Sequence, residues 1–391
     1  MNPFKKYAFL WSYTLPVVIV GTYYLLGPTW TFAGVIYTYF VIPLMDTLLG
    51  NDRSNVSHDT YEQVMNDRYF DALVYSFVYL HYALIGWGCY VLLAGSADGG
   101  SLTGWQQTGL IYSIGIFGGG IINVAHELGH RSSRIAQLHA KAALLSVSYM
   151  HFIIEHNRGH HVHVATPQDP ATSRKNQTLY AFWRQTLVGS YQSAWRISAR
   201  LMAKAGHKVW SHYNGMLWFA ALPVLFCLTI TVGFSLWVGY IAWIVPVFFI
   251  TQSLIAILLL ESVNYIEHYG IVRREIAGMP DHGVPVMRHS DQPIRYERVN
   301  PLHSWNASQL ISNMVLFQLQ RHSDHHAYAA RPYQVLRHFD ESPQLPFGYA
   351  LMILISHVPP LWFWLMNPRL EQWQARAYQQ EEIARVVKQF A

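Results

Sequence analysis

Six long stretches of this chain are almost entirely apolar, and polar residues gather in the segments between them. A helix needs about 20 consecutive, mostly apolar residues to cross the hydrocarbon core of a bilayer. None of the six stretches contains a lysine or an arginine, whose charges are costly to bury in lipid. The pattern therefore predicts six transmembrane helices. They cover residues 8–27, 31–49, 72–94, 106–126, 216–238 and 241–263.

Most of the remaining residues form two large insertions, 131–215 after the fourth span and 264–391 after the sixth. Within the first insertion, residues 135–157 are apolar with few charges and predict a buried or interfacial helix. Residues 348–366 are also apolar, but a Pro-Pro pair interrupts them, which favours an interfacial or re-entrant helix over a seventh span. We expect one all-α membrane domain over residues 1–391, a bundle of six transmembrane helices with a helical cytoplasmic cap.

The positive charges indicate how this bundle is oriented. All 27 lysines and arginines lie before the first span, between alternate spans or after the sixth. The three short turns near residues 27–28, 96–104 and 233–239 contain none. Because lysine and arginine stay on the cytoplasmic side of short loops, both termini are expected in the cytoplasm. The basic balance is thus a consequence of topology, and no aromatic-flanked basic patch suggests nucleic-acid binding.

Composition agrees with the membrane prediction and limits the redox chemistry. With 52% hydrophobic and only 13% charged residues, the chain is too apolar for an ordinary soluble domain. The first apolar run has the length of a span and lacks a small-residue cleavage site, so we expect it to stay in the mature protein. The only cysteines, Cys89 and Cys227, lie inside predicted spans and cannot build an iron–sulfur site. Any electrons must therefore come from another chain.

Nine of the 21 histidines are grouped at spacings suited to a metal site. Residues three or four apart share one face of a helix, so three of the groups can direct several imidazoles to one side, and the segment 264–270 adds the single His268 where the sixth span ends. The groups follow the fourth and sixth spans or lie in the insertions, and ionisable residues at such positions usually have a function. The nine are His126, His130, His156, His160, His161, His268, His322, His325 and His326.

Imidazole ligands suit iron, copper, zinc and nickel, and the spacing alone is compatible with both iron and zinc. Nine ligands exceed the needs of one ion, and two ions with four or five each would keep positions open for oxygen. Four acids next to these histidines could orient the imidazoles through their second ring nitrogens or could be solvated charges. No other catalytic group is predicted. The four acids are Glu127, Glu155, Glu267 and Asp324.

The motifs resemble those of a known family. The clusters at 126–130, 156–161 and 322–326 are similar to the three histidine boxes of membrane desaturases and hydroxylases. The sequence Asn-Tyr-Ile-Glu-His-Tyr-Gly at 264–270 and the Leu-Gln-Arg before the third box resemble the membrane-bound alkane 1-monooxygenases. The similarity extends through Arg-Tyr-Glu-Arg at 295–298 and covers most of the chain from the fourth span onward.

This resemblance implies a multi-pass enzyme of the bacterial inner membrane that hydroxylates the terminal methyl group of a medium-chain alkane or similar apolar substrate. Two non-haem irons would be held by the nine histidines, with no haem, flavin or iron–sulfur cluster in this chain. Electrons would come from rubredoxin, itself reduced by a flavoprotein reductase, and one atom of O2 would become water. Arg131 stands where family members often have lysine, which leaves open relatives that oxidise aromatic methyl groups such as those of xylenes.

Two further alternatives remain at this point. A fatty-acyl desaturase would carry the same boxes. In a different class, His126-Glu127-Leu128-Gly129-His130 matches the zinc-protease pattern, with Glu127 as general base. That hypothesis needs only one further ligand and leaves six or more grouped histidines unexplained. For an oxygenase, an apolar tunnel between the spans must position the substrate by shape. Gly115 and Gly118–Gly120 in the fourth span are expected to allow close helix packing and could alternatively leave tunnel space.

Overall fold

Helices form nearly all of the regular structure in the computed structural model, which describes residues 3–95, 100–276 and 295–377. The all-α prediction is confirmed, apart from one antiparallel pair of two-residue strands, β1 (Glu275–Ile276) and β2 (Arg295–Tyr296). The helices are α1 (Phe4–Leu26), α2 (Ala33–Leu49), α3 (His58–Met65), α4 (Arg68–Ala94), α5 (Gly104–Gly129), α6 (Arg134–Leu145), α7 (residues 152–163), α8 (Leu179–Lys204), α9 (Gly215–Val238), α10 (Ile244–His268), α11 (Leu310–Val315), α12 (His322–Ala327), α13 (Tyr349–Ser356) and α14 (Pro359–Ala377).

Five helices, α1, α4, α5, α9 and α10, are long and apolar enough to cross a membrane. Each corresponds to one predicted span, and the chain is a membrane protein. Polar side chains define where several of them begin. Asp67 accepts a hydrogen bond from the backbone of Tyr69 at the start of α4, and Thr103 and Gln106 form a reciprocal capping box at the start of α5.

The second predicted span differs from the others. Its helix α2 has 17 residues, and residues 37–41 within it form a π turn. At 1.5 Å per residue it extends about 25 Å, slightly less than the ~30 Å hydrocarbon core of a typical bilayer. Five of the six predicted spans therefore have full-length helices, whereas the second predicted span has a shorter apolar helix.

Helix α5 lies at the centre of the bundle and is buried along most of its length. Three of its glycines lie directly against α10. A Cβ atom on Gly115, Gly118 or Gly119 would come within 2.6–2.9 Å of side chains of α10. Gly120 is different, because a Cβ there would meet only Phe77, at an ordinary 3.7 Å. The first three glycines thus allow close packing, and Gly120 borders open space.

The described segments 130–214, 269–276 and 295–377 form a cap over the ends of α5 and α10. The single helix expected over 135–157 is interrupted, since α6 ends at Leu145 and Ser148 takes a left-handed backbone conformation with φ of 54°. Residues 348–366 likewise form parts of two helices, α13 and α14. Tyr349 at the start of α13 is fully buried and donates a hydrogen bond to Glu267 of α10 (2.8 Å).

Candidate dimetal site

The structure brings all nine grouped histidines together where the cap meets α5 and α10. They form two sets, and within each set the candidate ligand atoms lie within 4.8 Å of one another. The helical ends of α5 and α10 contribute His126, His130 and His268, and the cap helices α7 and α12 contribute the other six. The larger set is His126, His130, His156, His161 and His325. The smaller set is His160, His268, His322 and His326.

A π turn in α7 explains how the second box contributes to both sets. Residues 156–160 form this turn, and the extra residue per turn brings His161 next to His156, with 2.9 Å between their Nε2 atoms. Such π turns occur frequently at functional sites. Gly159 is needed inside the turn, because a Cβ atom there would collide with the Glu155 carboxylate.

The Nε2 atoms of the larger set are directed at one another. His156 approaches His130 at 3.2 Å, and His325 approaches His161 at 3.2 Å. Imidazole nitrogen binds a divalent metal such as zinc at about 2.0–2.1 Å, so two nitrogens at right angles around one ion would stand ~3 Å apart. The observed spacings match that value and fit a shared ion.

The smaller set repeats this arrangement. The Nε2 atom of His322 lies 3.2 Å from that of His268 and 2.8 Å from that of His326, which in turn lies 3.2 Å from that of His160. Two neutral imidazoles share at most one proton, so a chain of converging nitrogens is not satisfied by hydrogen bonding alone. The residues of this set therefore also fit a metal ion.

Protonation and burial favour the ligand form of these side chains. Burial holds the pKa of His156, His161, His322, His325 and His326 well below the usual histidine value, and neighbouring histidines lower it further. The imidazoles are thus neutral, which is the form that binds metals. The buried Nε2 atom of His126 has no hydrogen-bond partner among the described residues, as expected for an atom directed at a metal.

Asp169 orients one of the histidines. The Nδ1 atom of His160 donates to its carboxylate (2.9 Å), which also accepts hydrogen bonds from the Thr172 hydroxyl (2.6 Å) and the Ala171 backbone (3.0 Å). Burial opposes ionisation of this carboxyl, but the charge and hydrogen bond of His160 hold its pKa below the usual value. The sequence did not reveal this role. The only signal was an acid in the polar turn nine residues after His160.

Two of the four acids next to the boxes contact arginines. Glu127 accepts hydrogen bonds from the guanidinium of Arg131 (2.9 and 3.2 Å), and Asp324 pairs with Arg331. Asp324 also accepts from the backbone of Arg337 (2.9 Å). These carboxylates hold the box helices to neighbouring segments.

The other two acids lie closer to the imidazoles. One carboxylate oxygen of Glu267 is 3.2 Å from the Nε2 atom of His322, so it lies on the side that would face a metal. Glu155 is buried, and its Oε1 atom has no hydrogen-bond partner in the part of the chain that the structure describes. Burial raises the pKa of Glu155 to about 8. Because Glu267 lies on the side that would face a metal, it could supply an oxygen ligand to the smaller set.

An apolar cavity lies within the bundle beside this site. Three of its lining residues, Asn123, Val263 and Leu319, are three to five residues before histidines of the two sets on the same chain segments. Phe77 and Gly120 form part of its wall, so the cavity includes the space that Gly120 leaves open. One side of the cavity therefore lies near the histidines.

The larger set is also accessible from the other side. His130 and His161 are half-buried, whereas the histidines of the smaller set are fully buried. His130 borders an open pocket, together with the exposed cations Lys141 and Arg158. The site thus has an apolar approach through the bundle and a basic approach from the cap.

The geometry disfavours the zinc-protease alternative. His126 and His130 belong to a set of five histidines, so they are not two members of a three-ligand site. Glu127, the general base in that hypothesis, is occupied by its ion pair with Arg131.

Comparisons with known proteins identify the family. The sequence model of the family "Fatty acid desaturase" matches residues 103–356, more than half of the chain. Alkane 1-monooxygenase 2 of Alcanivorax borkumensis is 40% identical over 95% of this chain and 92% of its own. Alkane 1-monooxygenase 2 of Pseudomonas aeruginosa is 37% identical over 98% and 97%. A xylene/toluene monooxygenase hydroxylase component of Pseudomonas putida is 27% identical over 93% and 89%. The chain belongs to the alkane 1-monooxygenase family and to the broader fatty acid desaturase family.

Proposed function

We propose that this chain hydroxylates the terminal methyl group of alkanes in the bacterial inner membrane, at a di-iron site held by the nine histidines. Alkane, O2, two electrons and two protons give the 1-alcohol and water. Rubredoxin supplies the electrons and is reduced in turn by a flavoprotein. Both termini and the cap face the cytoplasm.

The observation that carries this proposal is the position of two converging histidine sets beside an apolar cavity. An alkane has no polar group for a protein to bind, so only the shape of an apolar cavity can position it. Burial of the smaller histidine set excludes water from the site and keeps the oxidising equivalents from being lost to solvent.

The residues have separate tasks in this scheme. The nine histidines would hold two irons, which when bound supply the activation of dioxygen. Asp169 fixes the Nδ1–H tautomer of His160, so that the Nε2 atom stays available as a ligand. Phe77 and Gly120 border the space for the alkyl chain.

Electrons would enter through the half-buried members of the larger set. His130 faces the open pocket that Lys141 and Arg158 also line. These basic surroundings suit a carrier protein with an acidic face. The two cysteines of this chain do not lie among the histidines, so a separate carrier is consistent with them.

The first experiment is elemental analysis of the protein purified in detergent, with His322→Ala and His268→Ala as variants. We expect about two irons per chain, because the nine ligands divide into two sets. Either substitution should reduce the iron content. One zinc per chain that neither substitution changes would contradict the di-iron proposal.

The substrate is tested separately, with rubredoxin, its reductase and NADH. Linear alkanes should yield 1-alcohols detectable by gas chromatography. The similarity to a xylene/toluene monooxygenase component makes xylene the competing substrate, and faster turnover of xylene than of any alkane would favour that alternative. Formation of an unsaturated acyl product would instead identify a desaturase.

A further inference from the structure

A row of positive charges runs along the exposed face of the second half of α8. Arg196, Arg200 and Lys204 are spaced four residues apart and therefore share one face of the helix, and Lys208 follows in the loop after the helix. All four are exposed, and none forms an ion pair with a described residue. The sequence contains no acid between Asp169 and Glu261 that could neutralise them.

This row is fixed at the start of a membrane-spanning helix. The hydroxyl of Ser198 on α8 donates to the side chain of Asn214 (2.7 Å), which also accepts from the backbone of Met216 and so caps α9. The Asn214 amide donates to the backbone carbonyl of Val209 (2.8 Å) and holds the connecting turn. Because α9 enters the bilayer at this point, the end of α8 lies at the level of the lipid headgroups.

Exposed aromatic side chains mark the same level. Trp210 is 80% exposed, Tyr213 is 57% exposed, and Trp218 in the first turn of α9 is 49% exposed. Trp210 also packs against Trp195 of α8, with 5.7 Å between the ring centroids. Tryptophan and tyrosine concentrate at membrane interfaces, where the ring is apolar and its N–H or O–H group contacts water.

We propose that these residues form a binding surface for anionic phospholipid headgroups of the adjacent leaflet, the lipid surface. Arginine and lysine bind the phosphate groups, and the aromatic rings insert among the neighbouring acyl chains. A soluble acidic protein could bind the same charges. Trp210 and Tyr213 would then lie in the lipid interface and contribute nothing to the binding of that protein. The lipid surface comprises Arg196, Arg200, Lys204, Lys208, Trp210 and Tyr213.

The opposite face of α8 supports the histidine site, so the lipid surface is structurally connected to it. Ile197 packs beside Gly159 in the π turn of the second histidine box. Thr186 of the same helix donates a hydrogen bond to Glu261 of α10 (2.7 Å). Headgroups bound to the exposed face would therefore stabilise the helix that packs behind the second box.

The test measures which lipids stay with the full-length protein. It is reconstituted in nanodiscs of phosphatidylcholine containing roughly one fifth phosphatidylglycerol, released in mild detergent and analysed by native mass spectrometry. The wild type should retain phosphatidylglycerol enriched about fivefold over its share of the bilayer, since one cation near the surface contributes roughly that factor. The variant Arg196→Gln/Arg200→Gln/Lys204→Gln should show the bulk ratio.

The matched control removes three exposed cations from another part of the cap, as Arg134→Gln/Lys141→Gln/Arg158→Gln. It should keep the enrichment. Equal enrichment in the wild type and the lipid-surface variant would overturn the proposal, as would an equal loss in the control. Should the triple variant unfold, the single substitution Arg200→Gln should still reduce the enrichment.

A second measurement separates lipid from protein as the occupant. In nanodiscs of phosphatidylcholine alone, the lipid-surface variant should have the same KM for reduced rubredoxin as the wild type. A raised KM for rubredoxin in the variant would assign the cations to the electron donor and contradict the lipid proposal, if the variant also retains phosphatidylglycerol like the wild type in the first measurement. The measurement of lipid retention does not depend on turnover, so the lipid surface can be confirmed even if the proposed alkane reaction fails.

Discussion

The hydrogen bond between Asp169 and His160 determines which nitrogen of the ring is free. Because Nδ1 donates to the carboxylate at 2.9 Å, Nε2 is the nitrogen that remains to bind a metal, and it is directed at His326. Carboxylates in this position also make the imidazole a stronger ligand, and their loss typically reduces metal affinity 10- to 100-fold. Asp169 is therefore a positioning residue for the smaller histidine set.

Asp169→Asn is expected to weaken iron binding about tenfold, since it removes the negative charge and preserves the size of the side chain. The measurement is iron retained per chain after dialysis against a series of chelator concentrations. Asp340→Asn is the control, because Asp340 makes the same kind of contact with His338 at 3.1 Å outside the two sets. Equal retention in both variants would show that Asp169 has no such role.

Glu127→Gln distinguishes an oxygenase from a protease. The ligands beside it stay in place, and Arg131 keeps its ion pair with Asp71 (2.5 Å). We expect near-normal iron content and hydroxylation, with a free energy of unfolding lower by about 1–3 kcal/mol from the lost charged hydrogen bonds. Iron analysis, alcohol formation and thermal unfolding measure these three quantities. Complete loss of alcohol formation with the iron content and the fold intact would show that Glu127 takes part in the reaction and is not only a partner of Arg131.

Local spacing grouped eight of the nine histidines, and His268 was included as the single histidine at the end of the sixth span. The same reasoning could not place the acids. Glu127 and Asp324 are adjacent to ligands in sequence, yet their side chains reach arginines. Asp169 and Glu267 contact imidazoles through turns and helix ends whose directions depend on the complete fold.

At the scale of helices, the glycines of α5 have two different surroundings, because some pack against α10 and one borders the cavity. Gly119 lies against Leu259 of α10, where a Cβ atom would approach within 2.6 Å, whereas Gly120 borders the cavity. Sequence alone left both interpretations open for the whole row. The assignment depends on the rotation of α5 relative to α10, which no local pattern specifies.

Gly120→Leu should shorten the longest alkane that the enzyme accepts, because the added side chain occupies cavity space next to Phe77. Gly119→Ala is the matched control on the same helix. It should reduce turnover of all chain lengths alike and destabilise the fold by about 1–3 kcal/mol, through overpacking against α10. Product yields across a series of alkanes from hexane to hexadecane test both. An unchanged chain-length profile in Gly120→Leu would exclude the cavity as the alkane site.

The π turns in α2 and α7 were not predictable from the periodicity of apolar residues. Each adds one residue to a helical turn, and that addition is stabilised by the contacts it creates. In α7 the contact is the meeting of His156 and His161. The turn thus places two histidines in one set, an arrangement that the apolar periodicity does not specify.

For the whole molecule, the contacts at the two ends of α2 decide its direction. Just before it begins, the Thr31 carbonyl accepts a hydrogen bond from Ser113 (2.7 Å) on the half of α5 remote from the histidines. Just after it ends, Asp52 pairs with Arg321, which directly precedes the third histidine box (3.3 Å). Helix α2 therefore returns the chain from the remote end of the bundle to the end with the metal site.

This geometry determines where the termini lie. Lys6 in the first turns of α1 pairs with Asp67 at the start of α4 (2.5 Å), so α1 begins at the end with the metal site. If α2 crosses the bilayer despite its 17 residues, the protein has six crossings and both termini lie on one side. If only the five long helices crossed, the termini would lie on opposite sides. The absence of lysine and arginine from the three outer turns favours six.

Fusions test this count directly. Green fluorescent protein folds only in the bacterial cytoplasm, and alkaline phosphatase is active only outside it. We expect fluorescence and no phosphatase activity from fusions at either terminus, because an even number of crossings returns the chain to the side where it began. Phosphatase joined after Pro28 in a truncated chain should be active and serves as the control. An active phosphatase at the C-terminus would mean that α2 does not cross, and would leave Arg321 and the histidine sets on the side opposite to the proposed cytoplasmic electron donor.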